Sequence, residues 1–224
     1  LSASLRKNGH NPIIFDTVVK AHNNIFKVDN KVSGRGLSFK DIIRRIPKDV
    51  GLIGISNLFS FAYPLVRRLT CEIKKEFPKK LIVLGGAHPS ATPIVTVSEP
   101  SIDFVILSEG DLTIVELVNN IGNSMALSKI DGLAYKDENG KSVLNPKMCY
   151  IEDLDSLPFP ERNSIPLESY YKVGSPHGPC QDRWTPMLSS RGCPFQCTFC
   201  TSNLWDRRFR VRSAENVLDE IEQC

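Results

Sequence analysis

No stretch of this chain approaches the ~20 consecutive apolar residues that a helix needs to span a bilayer. The opening LSASLRKNGH has neither the charged start nor the apolar middle of a secretory signal. The cytoplasm is therefore the expected compartment. A dominant charge sign is also missing: 28 basic and 25 acidic residues are mixed along 224 positions and leave a net charge of +3. That balance gives no general electrostatic reason to bind nucleic acid or an anionic membrane. Internal repeats and low-complexity tracts are absent. The seven cysteines are odd in number and three are clustered, which argues against a secreted disulfide framework and for a metal site in a reducing compartment. Cys71, Cys149, Cys180 and Cys224 are scattered.

What is present is a globular composition, 41% hydrophobic, ample for a packed core. Short β-rich apolar runs recur in the first half: IIFDTV at 13–18, VGLIGIS at 50–56, KLIVLG at 80–85 and DFVILS at 103–108. Continuous runs of this kind suit strands buried on both faces of a parallel sheet. Between them Ala62, Leu65, Val66, Leu69, Ile73 and Phe77 fall at helical spacing. Leu112 to Ile121 repeats the pattern behind Asp111, a candidate N-cap, and Ser38 with Asp41 marks the start of a shorter helix. The alternation predicts an α/β fold, a doubly wound parallel sheet of flavodoxin-like or Rossmann-like type, with ligands beyond the carboxyl ends of the strands.

The opening residues read as the end of a helix running into a turn, so a first strand and its loop are expected to precede them. Beyond residue 122 the texture changes: Asn139-Gly140 is a hairpin signal between strand-like flanks. From Ile151 to Pro186 the chain is proline-rich and reads as an extended crossover. PMLSS then reads as a short strand, and Ser213 as the N-cap of a helix over SAENVLDEIEQC. The expected organisation is a cofactor domain over 1–122, a hairpin and linker over 123–185, and a further domain beginning at 186–224.

Cys193, Cys197 and Cys200 form CxxxCxxC within SSRGCPFQCTFC, on a loop that follows a strand. Such a loop can wrap three thiolates around one inorganic centre. A closed structural zinc site takes four ligands, and Cys180 or His177 offers the fourth. A four-iron cluster normally takes four cysteines, so three at this spacing leave one iron open to an exogenous ligand.

The loop, with Phe199 before its last cysteine, resembles the cluster loop of radical S-adenosylmethionine enzymes. That resemblance implies a [4Fe-4S] cluster held by Cys193, Cys197 and Cys200, with S-adenosylmethionine chelating the fourth iron and Phe199 flanking its adenine. One electron from the reduced cluster would then cleave the sulfonium to methionine and a 5′-deoxyadenosyl radical, a reaction carried by the cofactors and aligned by the protein. A one-electron reductant such as flavodoxin or ferredoxin, and a small-molecule substrate, are the implied partners.

A second signature lies upstream. Ser56-Asn57-Leu58 is followed after 26 residues by Gly85-Gly86, each at the end of a predicted strand, where small residues let a bulky ligand approach the backbone. This spacing resembles the SxL…GG pattern of cobalamin-binding domains, and LGGAHPSATP with the later SEGD looks like the form fused to radical enzymes. IEDLDSLPFPER in the linker and RSAENVLDEIE near the end extend the resemblance over nearly the whole chain. It implies that Ser56, Leu58, Gly85 and Gly86 line the slot for the dimethylbenzimidazole tail of cobalamin. The DxHxxG motif of some cobalamin domains is lacking; it would follow the first strand.

Plainer readings compete at several positions. Ser56 and the glycines would also serve to close tight turns, and His88 is as well suited to a loop hydrogen bond as to the edge of the corrin. His10 follows a helix-ending glycine and His22 has no motif around it. RRFRVR at 207–212, near Trp205 and Phe209, reads as a solvated or interdomain loop rather than a nucleic-acid surface, since one basic run does not make a basic face. Glu109 and Asp111 read as a strand-end contact and a helix cap. The family resembled usually transfers a methyl group to a poorly activated carbon or phosphorus; relatives close rings oxidatively, as in anaerobic formation of the chlorophyll isocyclic ring. A different class of answer is a module that binds cobalamin or a cluster without catalysis. The resemblance also implies that 186–224 are the truncated start of a radical SAM partial TIM barrel; a barrel domain needs ~200 residues or more, so a chain with only its first strand and helix is expected to be inactive by itself.

Overall fold

In a computed structural model the described residues are 1–173, 183–201, 204 and 207–224. The chain opens with helix α1 (Ser2–Lys7), a ribbon of β1 (Ile25–Lys27) and β2 (Ser33–Arg35), and helix α2 (Phe39–Arg45). The central sheet follows: β3 (Leu52–Ser56), α3 (Tyr63–Glu76), β4 (Leu81–Gly85), α4 (Ala87–Ala91), α5 (Pro93–Val97) and β5 (Phe104–Ile106). Then come α6 (Thr113–Asn120), α7 (Ser124–Leu127), and the hairpin of β6 (Leu133–Lys136) and β7 (Ser142–Leu144). Helix α8 (Leu167–Val173), β8 (Ser190–Arg191), β9 (Arg210–Val211) and α9 (Ala214–Gln223) complete the described elements. Among the described residues no helix is long and apolar enough to cross a membrane.

The five-stranded sheet has the order β3-β4-β5-β6-β7. The first three strands are parallel, and β6 and β7 join antiparallel. Side chains alternate between its faces, as strand geometry requires. Val83, Phe104, Ile106, Leu133 and Tyr135 pack with Ile114, Val115 and Leu117 of α6 and Leu127 of α7. Ile82, Leu84, Val105 and Ala134 point the other way, onto Ile73 of α3 and Val97 of α5. Helices thus cover both faces, the doubly wound α/β arrangement, and the central strands are apolar throughout because neither face meets water. The hairpin turns at Asp137, whose carboxylate accepts from the amides of Asn139 (2.9 Å) and Lys141 (2.8 Å), while Gly140 takes a φ of +75°.

Helix α3 has Pro64 in its first turn and Lys74 and Lys75 in its last, placements favoured by the missing amide and the helix dipole. Ser38 caps α2, its hydroxyl accepting from Asp41 N at 3.2 Å. Ser213 caps α9 in the same way, accepting from Asn216 N at 3.1 Å.

Three expectations change. The run 13–18 is not a strand; Ile13 and Val18 are exposed. The carboxylate of Asp16 accepts from the amides of Val18 (2.8 Å) and Val19 (2.9 Å), which bends the chain into a short 3₁₀ turn at Val19–Ala21. Asp111 does not cap α6, whose N-cap is Leu112 with no side-chain bond; its carboxylate is occupied by Arg191 instead. The linker is less extended than its prolines suggest. It holds 3₁₀ turns at Leu154–Ser156 and Arg162–Ser164 and the helix α8, which starts directly after Pro166.

Candidate functional site at the carboxyl edge of the sheet

The register of β3 and β4 sets Ser56 opposite Gly85, so the two halves of the SxL…GG signature meet where both strands end. Asn57 N donates to Gly85 O at 2.8 Å, and His88 N to Asn57 O at 3.3 Å. Gly86, at φ +110°, could not carry a side chain there: an added Cβ would stand 2.6 Å from Asn57 O. At Gly85 the nearest atom to an added Cβ is Ile106 O, 3.9 Å away. One glycine is thus required by the crossing of the two segments, and the other leaves room above the strand end. Ser56 is exposed. Leu58 is 57% exposed, beside the exposed, stacked rings of Phe59 and Phe61.

Asn57, which the sequence reading passed over as the variable position of its motif, is buried and donates from Nδ2 to Phe59 O at 3.0 Å. An amide side chain directly after a buried strand was the available signal, because such residues bond the backbone of the following turn. The His88 ring lies tilted by 41° against that of Tyr63, with centroids 4.3 Å apart, and its Nδ1 lies 3.0 Å from Ser60 Oγ. Burial pushes its imidazole pKa below the ordinary value, which favours the neutral ring.

The cysteine loop leaves β8 at Gly192, which has a φ of +86°, and returns to β9. Cys193 is half-buried and Cys197 and Cys200 are exposed. Cys200 N donates to Cys197 O at 3.1 Å, and Phe199 is 90% exposed. Among the described residues no three potential ligands stand close enough to hold a metal ion. The donor set suits a thiophilic centre all the same: three thiols within eight residues, on irregular backbone open to an incoming cluster. Cys180, His177 and Trp205 lie outside the described residues.

Charged side chains fasten the strands that flank this loop to the sheet edge. Arg210 on β9 makes a two-pronged, buried pair with Glu109, at 2.6 and 3.0 Å, and also donates to Ile151 O at 2.7 Å. Arg191 on β8 donates to Asp111 at 2.8 Å, and Ser108 donates to Leu204 O. Within RRFRVR, Arg210 is therefore buried against the segment after β5 rather than solvated. On the far side of the strand pair, Arg162 of the linker (2.5 Å) and Arg212 both bond Glu220 of α9. Asp155 accepts from Ser213 N at 3.1 Å, so the linker also holds the start of that helix.

The strands that flank the thiol-bearing loop are thus bonded to the same carboxyl edge of the doubly wound sheet at which Ser56 and Gly85 meet. The family model described as B12 binding domain matches residues 1–118, and the chain belongs to that family. It is 36% identical over 83% of its length to the uncharacterized methyltransferase PH0819 of Pyrococcus horikoshii, of which it covers 39%. To the cytidylyl-2-hydroxyethylphosphonate methyltransferase of Streptomyces wedmorensis it is 27% identical over 99% of its length, covering 46% of that protein. The chain thus spans less than half the length of these relatives. In fold it resembles the cobalamin-dependent S-adenosylmethionine radical enzyme OxsB, solved with aqua-cobalamin and S-adenosylmethionine bound. The TM-score is 0.67 at 22% identity, over 83% of this chain and 25% of that one.

Proposed function

We propose that this chain is the cobalamin-binding part, with the opening of the radical domain, of a cobalamin-dependent radical S-adenosylmethionine methyltransferase. The observation that carries the reading is that two signatures of different chemistry, the slot at Ser56–Leu58 and Gly85–Gly86 and the loop from Cys193 to Cys200, are tied to one edge of one sheet. Residues 1–122 would hold cobalamin, 123–185 connect, and 186–224 begin the barrel.

In such a protein cobalamin supplies a transferable methyl group, and the iron–sulfur cluster supplies the electron that cleaves S-adenosylmethionine. The chain's own residues bind and orient. Ser56, Leu58 and the open space at Gly85 receive the nucleotide tail of cobalamin, while Gly86 lets the two walls of the slot close on each other. His88, neutral and held by Ser60, edges the corrin without adding charge. Cys193, Cys197 and Cys200 bind the cluster as thiolates, and Phe199 covers the adenine. The substrate is a small molecule with a poorly activated carbon or phosphorus centre, and the reductant a cytoplasmic one-electron carrier. Both relatives quoted above carry methyltransferase names, which supports methyl transfer.

Anaerobic reconstitution followed by an ultraviolet–visible spectrum and cobalt, iron and sulfide analysis tests the cofactors. One cobalamin and one four-iron cluster per chain are expected, and zinc without iron would sink the reading. For the reaction, the protein at the length of its relatives is turned over anaerobically with its substrate. The expected product is heavier by one methylene; cofactor binding with no cleavage of S-adenosylmethionine would instead mark a carrier module.

A further inference from the structure

We propose that Ser108–Asp111 is a positioning segment that fixes the separation between the slot at Gly85–Gly86 and the thiol loop; this rests on the two-cofactor reading above. Each polar side chain in the segment reaches across to the strand pair or the chain between its strands. Ser108 donates to Leu204 O, four residues beyond Cys200. Glu109 grips Arg210 on β9 through both oxygens, at 2.6 and 3.0 Å, and Asp111 takes Arg191 on β8 at 2.8 Å. Both strands that carry the loop are therefore held by two residues of this segment, Glu109 and Asp111.

The same segment is bonded back to the slot. Ser90 Oγ donates to Gly86 O at 2.8 Å and accepts from Ser108 N at 2.8 Å. A continuous path runs from Gly86 through Ser90 and Ser108 to Leu204. Ser108 sits at φ +54°, a left-handed conformation unusual for a residue with a side chain, and it persists because bonds on both sides fix it. Burial adds direction to the Glu109 grip: Glu109 and Arg210 side chains are 2% and 5% exposed, so water cannot replace either partner in place. A two-pronged guanidinium–carboxylate pair fixes orientation as well as distance. Where a reactive group must pass between two bound cofactors, an error of about 1 Å in placement costs on the order of 10²-fold in rate. A rigid tie between the two sites is what that requirement demands, and simple domain packing would not need the bonds back to Gly86.

The test reads geometry rather than activity. The protein at the length of its relatives, loaded anaerobically, is reduced to give cob(II)alamin and the paramagnetic cluster. The dipolar coupling between them, which falls with the cube of their distance, is measured by pulsed electron paramagnetic resonance. Wild type is expected to show one narrow coupling. Glu109→Gln should keep cobalt and iron at wild-type stoichiometry but replace it with a broad distribution, and Ser108→Ala, should the first variant fail to fold, should broaden it to a lesser degree. An unchanged coupling with both cofactors present overturns the proposal alone, whereas a wild type that holds no cobalamin or no iron overturns the two-cofactor reading and the proposal with it.

Discussion

The slot and the thiol loop stand at one edge of the sheet but are built on opposite plans. The slot is shaped by the fold: strand register sets Ser56 beside Gly85, and backbone bonds from Asn57 and His88 close the crossing. The loop has no regular structure from Gly192 to Phe199, and its thiols are partly or fully exposed. The proposed slot would therefore have its shape before any ligand arrives, whereas the loop would take its shape from the cluster proposed for its thiolates. Two kinds of sensitivity follow. Changes at the crossing that closes the slot should be felt as stability, and changes on its open wall or in the loop as the affinity or composition of the bound cofactors.

Cys193→Ala, Cys197→Ala or Cys200→Ala gives the largest contrast. Each should abolish cluster iron in anaerobically reconstituted protein, because a three-ligand site has no ligand to spare. Thermal unfolding and cobalamin binding should stay at wild-type values, since none of the thiols lies in the apolar core. Iron, cobalt and Tm measured on one preparation check all three, and a variant that retained its iron would break the contrast.

The frame that carries the loop is stable by charge, and there Glu220→Gln should have the next largest effect. Glu220 is 1% exposed between Arg162 and Arg212. Removing one partner from a buried pair costs roughly 3–5 kcal/mol. Burial pushes the Glu220 pKa up, but hydrogen bonds from the two arginines outweigh it and leave the carboxyl below its usual value. The unfolded chain therefore takes up this proton first. The stabilisation is present above the ordinary carboxylate range and is lost as pH falls through the folded value. Tm measured from pH 7 down to pH 3 should show wild type and variant converging in acid; a gap that stayed constant would mean that the charge of Glu220 contributes nothing.

Within the slot the two glycines separate fold from ligand. Gly86→Ala forces a side chain into a region open to glycine alone and against Asn57 O, a strain of about 1–3 kcal/mol. At about 2–4 °C per kcal/mol for a chain of this size, Tm should fall by several degrees. Gly85→Ala meets nothing closer than 3.9 Å and should leave Tm near wild type while weakening cobalamin binding. Equal Tm losses from both variants would show that the space at Gly85 is not a slot.

How much of this was legible follows from the range of each interaction. Strands β4 and β5 announced themselves because burial on both faces writes an unbroken apolar run, the half-buried edge strand β3 because Leu52, Ile53 and Ile55 are β-formers beside them, and the hairpin because Asn139-Gly140 supplies its own turn. The caps Ser38 and Ser213 act within three residues and were read correctly. The run 13–18 misled because β-rich composition says nothing of a local competitor such as Asp16. Glu109 and Asp111 find their arginines 101 and 80 residues away, so no local pattern reveals that they hold the strands flanking the thiol loop. The three cysteines were plain in sequence because metal chemistry constrains spacing, yet the chain alone does not impose the geometry they would adopt around a cluster.

The smallest effect is the sharpest test of the slot. Leu58 is 57% exposed, so Leu58→Ala loses little buried area and should shift stability by no more than about 0.5 kcal/mol. A ligand tail that covers the side chain would bury it on binding, worth roughly 1.5–3 kcal/mol for a leucine fully removed from water. Covering part of it corresponds to about a tenfold rise in the Kd for cobalamin, or ~1.4 kcal/mol. Equilibrium titration of the apoprotein with cobalamin measures that ratio, and denaturant unfolding measures the other. A leucine that the fold does not need but the ligand does is what a slot requires of its wall; equal affinity in variant and wild type would place the nucleotide tail elsewhere.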